Sequence, residues 1–349
     1  MTQTDHEVGR VTVAQRALIV TGIVAFVAIL LLVMWAAVEV MLLIFGGILL
    51  AVILRGLSEL LSKFTQITGG WSLALVVLAL VALFGLGGWF LGDRIASQMN
   101  ELSRSLNESW QQLQLRLQQF EMGRQVLAKD WVQPTGPGRT PWLGRIAGVF
   151  STTLGVVANF VVIVFTGLYI AADPGLYRGG LILLAPLRAR NRAGEVLNAL
   201  GRALHGWLIG QMFSMAVVGT ATTVGLWLLG IPLALTLGII ALVMTFVPYL
   251  GPIVSSVPAI LVALTIGPLE AVYVGMLYLV VQSVEGYLLT PLVQQRYVNL
   301  PPALTIIAQM LAGVLIGPIG ILFATPLAAC GLVLVRMLYV EDALGDDVP

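Results

Sequence analysis

Glu285 is the residue most suited to chemistry, because it is an ionisable group inside an otherwise apolar stretch, residues 269–290. Carboxylates buried in a membrane are costly and mark candidate functional sites. Gln282 precedes it by three residues, so the two lie on one face of a helix. Such a carboxylate could bind a cation, exchange a proton or bond a polar substrate, or it could serve only a hydrogen bond between helices. Glu39 and Glu270 lie at the ends of apolar stretches, which favours a structural role for both.

Two apolar stretches are interrupted by proline and glycine. Pro248-Tyr249-Leu250-Gly251-Pro252 divides residues 233–247 from 253–266, and Gly317-Pro318 divides residues 302–335. Proline lacks an amide donor and glycine admits unusual dihedral angles, so both unwind a helix. The freed backbone groups need protein or a water-filled cavity, and many transporters bind their substrates at such half-helix ends. We therefore predict two broken or re-entrant helical hairpins at a transport site.

The predicted binding site combines the first break with polar side chains from neighbouring segments. Its predicted members are Pro248, Tyr249, Gly251, Pro252, Gln282, Glu285 and Thr325. The two breaks are weakly alike, since Gly251-Pro252-Ile253 is matched by Gly317-Pro318-Ile319. This favours an inverted repeat, with chance similarity in apolar sequence as the alternative.

The composition is that of an integral membrane protein. Of 349 residues, 58% are apolar and 10% are charged, with a net charge of +1 and a mean hydropathy of +0.97. Soluble domains carry about 25% charged residues, so a cytosolic enzyme and a nucleic-acid-binding protein are both disfavoured. One cysteine and two histidines argue against a disulfide, a metal site or a cofactor. No nucleotide-binding Gly-x-x-x-x-Gly-Lys-Ser/Thr loop and no set of catalytic groups is present, so we expect no enzymatic activity.

The stretches without charge predict an all-α polytopic membrane protein with about eight membrane segments, since a spanning helix needs about 20 apolar residues. The first three spans are predicted at 17–38, 40–54 and 71–92, and the fifth at about 206–229. In chain order we predict N-terminal membrane segments (1–92), an external amphipathic helix and loop (93–145), a fourth span (146–172), a cytoplasmic basic amphipathic linker (173–205), a transport core with broken helices (206–338) and an acidic C-terminal tail (339–349). Residues 231–266 and 302–335 could be either re-entrant or fully spanning.

The orientation follows from the basic residues. Arg188, Arg190 and Arg192 form the densest basic cluster, and Lys and Arg concentrate on the cytoplasmic side. We therefore place the linker in the cytoplasm, and counting back through four spans puts the N-terminus on the same side. The amphipathic part of the linker, 189–205, is expected to lie along the interface and attract anionic lipid, with a gating role as the alternative.

The external segment carries an apolar stripe at helical spacing, formed by Ile95, Met99, Leu102, Leu106, Trp110, Leu113, Leu117 and Phe120. Within it Met99, Leu106, Leu113 and Phe120 have heptad spacing. The stripe either packs on the membrane surface or on a helix of the same chain, or it forms a subunit contact in an oligomer. Proline and glycine in residues 131–144 predict a loop after this helix.

Several short motifs carry a family resemblance over residues 146–335. They are Gly210-Gln211, Gly230-Ile231-Pro232-Leu233-Ala234, Phe246-Val247-Pro248-Tyr249-Leu250-Gly251-Pro252, Gln282-Ser283-Val284-Glu285-Gly286, Leu300-Pro301-Pro302, Gly317-Pro318-Ile319-Gly320 and Thr325-Pro326-Leu327. With these motifs the chain resembles the autoinducer-2 exporter family of bacterial permeases. The resemblance implies eight membrane segments, a cytoplasmic N-terminus, location in the bacterial inner membrane and homo-oligomers, with pentamers described.

Three functional hypotheses follow. The first is a secondary transporter that exports a small polar solute, such as the autoinducer-2 signal that the resemblance implies, through a site at the broken helices. The second, also implied by the resemblance, is a sodium (lithium)/proton antiporter. The third is a non-transporting scaffold that oligomerises through its external helix. The expected partners are a small solute or cation, with or without proton coupling, membrane lipid and further copies of the chain, without nucleic acid or a cofactor.

Overall fold

The computed structural model describes residues 13–65, 70–117, 153–289 and 300–346. Within these ranges every regular element is helical; the α-helices in chain order are α1 (Val13–Thr65), α2 (Gly70–Leu117), α3 (Thr153–Ala172), α4 (Pro174–Leu183), α5 (Arg190–Leu228), α6 (Ala234–Met244), α7 (Leu250–Ile266), α8 (Pro268–Val284), α9 (Pro302–Leu315) and α10 (Pro318–Leu334). Helices α8 and α10 continue as π-helical segments, Glu285–Leu289 and Val335–Glu341. The loop predicted at 131–144 lies outside the described residues.

An all-helical membrane protein is confirmed, but eight membrane segments are not. Four segments in the described ranges are long and apolar enough to cross a membrane: Ala37–Lys63, Gly70–Phe90, Leu187–Leu228 and Pro318–Glu341. A fifth candidate joins Val157–Ala172 to Pro174–Leu183 through a bend of 88°. Helices α6, α7 and α9 are apolar but shorter, at 11, 17 and 14 residues.

The first two predicted spans, 17–38 and 40–54, form one continuous helix, α1. Residues 23–45 contain neither proline nor glycine, and the single charge of Glu39 does not end the helix. A continuous helix cannot turn back, so the prediction of two antiparallel spans here is wrong. It also removes one crossing from the count that placed the N-terminus in the cytoplasm. With one crossing in α1 instead of two, the same count of spans puts the start of α1 on the membrane side opposite the linker, so it no longer supports a cytoplasmic N-terminus.

Arg55 ties α1 to the end of α3. Its Nε donates to the carbonyl of Ala171 at 2.6 Å, and its Nη2 donates to the carbonyl of Ala172 at 3.1 Å. The last carbonyls of a helix have no partner within the helix and carry its negative dipole end, so a guanidinium stabilises them. The C-terminal part of α1 therefore lies on the same membrane side as the end of α3 and the linker that follows.

The third predicted span and the external amphipathic helix are also one helix, α2. Leu102 and Leu106 of the predicted apolar face are buried in a cluster with residues of α6, α7 and α8. The Thr236 hydroxyl of α6 donates to the side-chain oxygen of Gln98. These contacts favour packing on the same chain over a subunit contact for this part of the stripe. The Leu113 side chain and Phe120 lie outside the described residues.

The amphipathic linker helix runs directly into the fifth predicted span as α5. At its start Arg192 contacts Glu195, Glu341 and Asp342 at 2.9, 2.8 and 2.9 Å. It also donates to the carbonyl of Met337 at 3.0 Å. Hydrogen bonds to Asp342, Glu341 and Glu195 raise the pKa of Arg192 above its ordinary value. The acidic C-terminal segment is therefore joined to the linker on one side of the membrane.

Buried apolar residues hold the broken segments on α5. One cluster joins α6, α7 and α8 to the end of α5 around the fully buried Leu226, Leu237 and Val262. A second cluster joins α10 to α1 and to the start of the α5 span, where Trp207 and Phe323 are buried. Within a membrane, close packing rather than removal of water drives helix association. Helix α5 thus contributes to both clusters and lies against both broken segments.

Candidate functional site

The first helix break lies where α6 ends and α7 begins, at residues 245–249. Thr245 follows the last residue of α6, Met244, and its hydroxyl donates to the carbonyl of Ala241 at 2.7 Å. Pro248 follows, and Tyr249 adopts a φ of 63° and a ψ of −50°. A positive φ is unfavourable for a residue with a bulky side chain, and such strain clusters at functional sites. The structure therefore has a helix break at Pro248 and Tyr249, where the sequence predicts one.

Gly251 permits the close return of the chain at this break. A Cβ atom at this position would overlap the carbonyl group of Met244, the last residue of α6. Pro252 follows within the first turn of α7, where a missing amide proton removes no helical hydrogen bond. The role of these two residues is thus to shape the backbone, as the sequence predicts.

The second break lies between α9 and α10 and uses glycine in a similar way. Gly317 has a φ of 88°, and Pro318 begins α10. A Cβ atom at Gly320 would lie 2.5 Å from the carbonyl oxygen of Ala312 in α9. Helices α9 and α10 therefore pack closely on each other around this break. With its π-helical continuation, α10 extends to Glu341, and Pro318–Glu341 is long enough to cross the membrane. The second broken segment is therefore longer than the first.

Gln309 joins the two broken segments. Its Nε2 lies 2.9 Å from the carbonyl oxygen of Pro248 and 3.3 Å from the Thr325 hydroxyl oxygen. The side chain is 1% exposed. A buried amide that bonds two different segments constrains their relative position, because leaving it unpaired would be unfavourable. Thr325 is therefore brought to the first break by a residue that the prediction omitted.

A second glutamine contacts the same break from α5. The Nε2 atom of Gln211 donates to the carbonyl of Thr245, and both residues are buried. Gln211 and Gln309 were missing from the predicted site. The available signal was the presence of a neutral amide inside an apolar helix, where polar side chains commonly bond across helices.

Glu285 belongs to a third segment, the π-helical continuation of α8. The α-helical part of α8 ends at Val284, and Glu285 is the first residue of the π-helical segment. Single π-helical turns inside helices occur frequently at functional sites. The Glu285 carboxylate interacts electrostatically with the Tyr249 hydroxyl. That Glu285 and Tyr249 belong to one binding site stays a prediction.

Gln282 lies beside Glu285 and interacts with its carboxylate. Its Nε2 atom is buried and has no hydrogen-bond partner of normal geometry among the described residues. A buried amide donor without a hydrogen bond of good geometry can bond a ligand or water. Gln282 therefore remains a candidate for substrate contact.

The assembled groups are carbonyl, amide, hydroxyl and carboxylate oxygens at the C-terminal end of α6. This helix end carries partial negative charge, and its last carbonyls have no partner within the helix. Such a set can coordinate a monovalent cation or bond the hydroxyl groups of a polar solute. It provides no nucleophile activated by a base, which hydrolytic or transfer chemistry would need.

The family model described as AI-2E family transporter matches residues 24–339. The "Putative transport protein YrrI" of Bacillus subtilis is 29% identical over 189 residues, which cover 53% of this chain and 54% of the relative. The "AI-2 transport protein TqsA" of Escherichia coli is 22% identical over 289 residues, which cover 79% of this chain and 77% of the relative.

The matches to two Bacillus subtilis relatives cover only part of those proteins. YrrI and the "Putative transport protein YueF" of Bacillus subtilis are matched over 54% and 51% of their own length. The chain thus spans about half the length of these curated relatives, whereas the family model covers almost all of the chain.

Proposed function

The chain belongs to the AI-2E transporter family, and we propose that it is a secondary transporter whose binding site lies at the first helix break. The observation that carries the proposal is the Gln309 side chain, which bonds both the Pro248 carbonyl and the Thr325 hydroxyl. A side chain that contacts both broken segments responds to a change in their relative position. Alternating access requires one half of a transporter to move against the other around the site.

We propose a small polar solute of the autoinducer-2 class as the substrate. TqsA is by name an AI-2 transport protein and aligns with 79% of this chain. The amides of Gln211 and Gln309 and the hydroxyls of Thr245 and Thr325 are neutral donors and acceptors. Groups of this kind recognise hydroxyl groups of a solute without requiring it to carry a charge.

Exchange of sodium or lithium for protons is the second candidate. The supporting observation is Glu285, which begins the π-helical segment and interacts with Tyr249 at the break. Burial disfavours a charged carboxylate and a nearby cation favours it, so a proton and a cation would compete for this group.

The scaffold hypothesis is weaker, because its argument depended on an unpaired external stripe. Leu102 and Leu106 of that stripe pack on α6, α7 and α8 of the same chain. We still propose a homo-oligomer, as in the family resemblance, with the bacterial inner membrane as its location. Assembly would then use surfaces other than these two leucines.

Replacement of Glu285 by glutamine tests the role of the carboxylate. The variant keeps the size of the side chain but cannot exchange a proton, so an ion-coupled transporter should lose its pH-driven flux to background. The measurement is uptake of the autoinducer-2 signal, Na⁺ and Li⁺ into proteoliposomes under an imposed pH gradient.

Glu270→Gln is the matched control, because it makes the same change at the start of the same helix, α8. This control should keep full flux. Full flux of all three solutes in Glu285→Gln would exclude a coupling role for the carboxylate, and the transporter proposal would then depend on the solute flux of the unmodified protein.

The orientation gives a separate prediction. A cysteine at Ala189, in a Cys330→Ala background, should resist an impermeant thiol reagent added to intact cells, because we propose a cytoplasmic linker. A cysteine at Asn100 on α2, an exposed position, should react as the external control. Rapid labelling at Ala189 together with protection at Asn100 would reverse the topology.

A further inference from the structure

A pocket of ≈ 440 Å³ opens between the C-terminal part of α1 and the start of the α5 span. Its walls are largely apolar and include Val52, Ile53, Leu57, Leu208, Ile209 and Met212. None of its lining residues belongs to the candidate site at the helix breaks. The volume is in the range of small-molecule pockets, and Ile209 and Met212 are about half exposed towards the membrane.

The rim of the pocket carries both signs of charge. Glu59, Lys63 and His205 line it together with the apolar residues. Glu59 and Lys63 are one helical turn apart, a spacing at which opposite charges commonly pair. Within the described part of the chain, however, the side chains of these three residues form no ion pair or hydrogen bond. Each is therefore available to a ligand.

Gly56 allows the imidazole of His205 to lie at the rim. A Cβ atom at Gly56 would be 2.6 Å from Cε1 and 3.1 Å from Nδ1 of His205. Any larger residue at this position would have to displace the ring. The absence of a side chain thus brings a hydrogen-bonding group of α5 directly against α1 in the pocket that Lys63 also lines.

The pocket lies where the membrane interface is expected. Arg55 joins this part of α1 to the end of α3 on the side of the basic linker. Along α5, Arg202 precedes His205, and the residues from Gly206 to Leu228 carry no charge. The charged rim therefore faces the interface on the linker side, and the apolar wall continues into the hydrocarbon region.

We propose that this pocket binds one molecule of phosphatidylethanolamine. The ammonium group of the lipid pairs with Glu59, its phosphate accepts hydrogen bonds from Lys63 and His205, and one acyl chain lies along Ile209 and Met212. Glu59 and Lys63 carry opposite charges, so Glu59 repels a headgroup that carries only negative charge, such as phosphatidylglycerol. The quaternary ammonium of phosphatidylcholine has no proton to donate to Glu59. A headgroup with a phosphate and a primary ammonium satisfies both charges.

Native mass spectrometry of the purified oligomer tests the proposal. The protein is incubated with equal amounts of phosphatidylethanolamine, phosphatidylglycerol and phosphatidylcholine of distinguishable mass, and retained lipid is counted per protomer. We expect one retained phosphatidylethanolamine, and an affinity about tenfold lower in Lys63→Gln or Glu59→Gln, the effect of losing one charge-assisted contact. Lys63→Arg keeps the charge and should retain the lipid.

Arg104→Gln is the matched control, because it removes one exposed basic charge from α2, away from the pocket. Equal loss of lipid in Arg104→Gln and Lys63→Gln would overturn the proposal. Preferential retention of phosphatidylglycerol, or equal retention of all three lipids, would also overturn it. Complete absence of lipid from an intact oligomer would instead show that protein covers the pocket, which equally contradicts lipid binding. These results do not depend on which solute the protein transports.

Discussion

Gly251→Ala is expected to destabilise the protein by about 3 kcal/mol, the upper range for overpacking a close contact. The added methyl group would overlap the backbone carbonyl of Met244. A backbone group cannot rotate away as a flexible side chain can, so α6 and α7 must separate at the break. We expect the thermal midpoint of the detergent-solubilised protein to fall by about 4 °C. Transport in proteoliposomes should fall to background, because the break positions Pro248 and Tyr249.

Gly275→Ala is the control for this result. Gly275 lies in the middle of α8, and a Cβ atom there would meet nothing within 4 Å. Alanine favours a helix over glycine by about 1 kcal/mol, so this variant should be as stable as the parent protein or slightly more so. Equal behaviour of the two variants would show that the return of the chain at Gly251 is looser than the structure indicates.

The sequence was sufficient to locate both helix breaks, because their causes are local. Pro248 restricts its own backbone and lacks an amide donor, Gly317 adopts a φ of 88°, and Gly251 leaves room for the carbonyl of Met244. Glu285 was also identified from local information, as a charge inside an apolar stretch. Its position at the start of a π-helical segment was not predictable, because that segment depends on how α8 packs against its neighbours.

The count of spans failed for the opposite reason. A charge such as Glu39 was read as a boundary between two spans, although nothing in residues 23–45 prevents a helix from continuing. The same applies to α2 and α5, where an apolar span continues without a break into an amphipathic helix. Charge marks where a helix leaves the membrane, whereas proline and glycine mark where it ends. The breaks of the transport core contain proline and glycine but no charge, because residues 203–269 and 297–335 carry no Asp, Glu, Lys or Arg.

Gln309 was missed because its role is a tertiary one. In the sequence it is a single amide in an apolar helix, and nothing nearby indicates that it reaches a break about 60 residues earlier. Only the packing of α9 beside α10 and the first break brings its amide to Pro248 and Thr325. Glutamine has two donor protons and an acceptor oxygen, so it can serve two partners on different segments at once.

Gln309→Leu should therefore reduce transport far more than it reduces stability. Leucine has a similar volume but cannot bond the Pro248 carbonyl or the Thr325 hydroxyl. The Pro248 carbonyl still accepts from the amide of Leu250 at 2.8 Å, so the loss of stability should be only about 1–3 kcal/mol. The two broken segments would lose the side chain that joins them, and substrate flux into proteoliposomes should fall to background while the oligomer still assembles.

Gln98→Leu separates this functional effect from a general loss of polar contacts. It removes the hydrogen bond between Gln98 on α2 and the buried Thr236 hydroxyl, so its effect on the thermal midpoint should be similar. Because this bond joins α2 to the start of α6, away from Pro248 and Thr325, the control should keep most of its flux. If both variants lose flux equally, the broken segments respond to any loosening of the core. If Gln309→Leu keeps full flux, the contact between the two segments plays no part in transport, and the binding site must be sought nearer to Glu285 and Gln282.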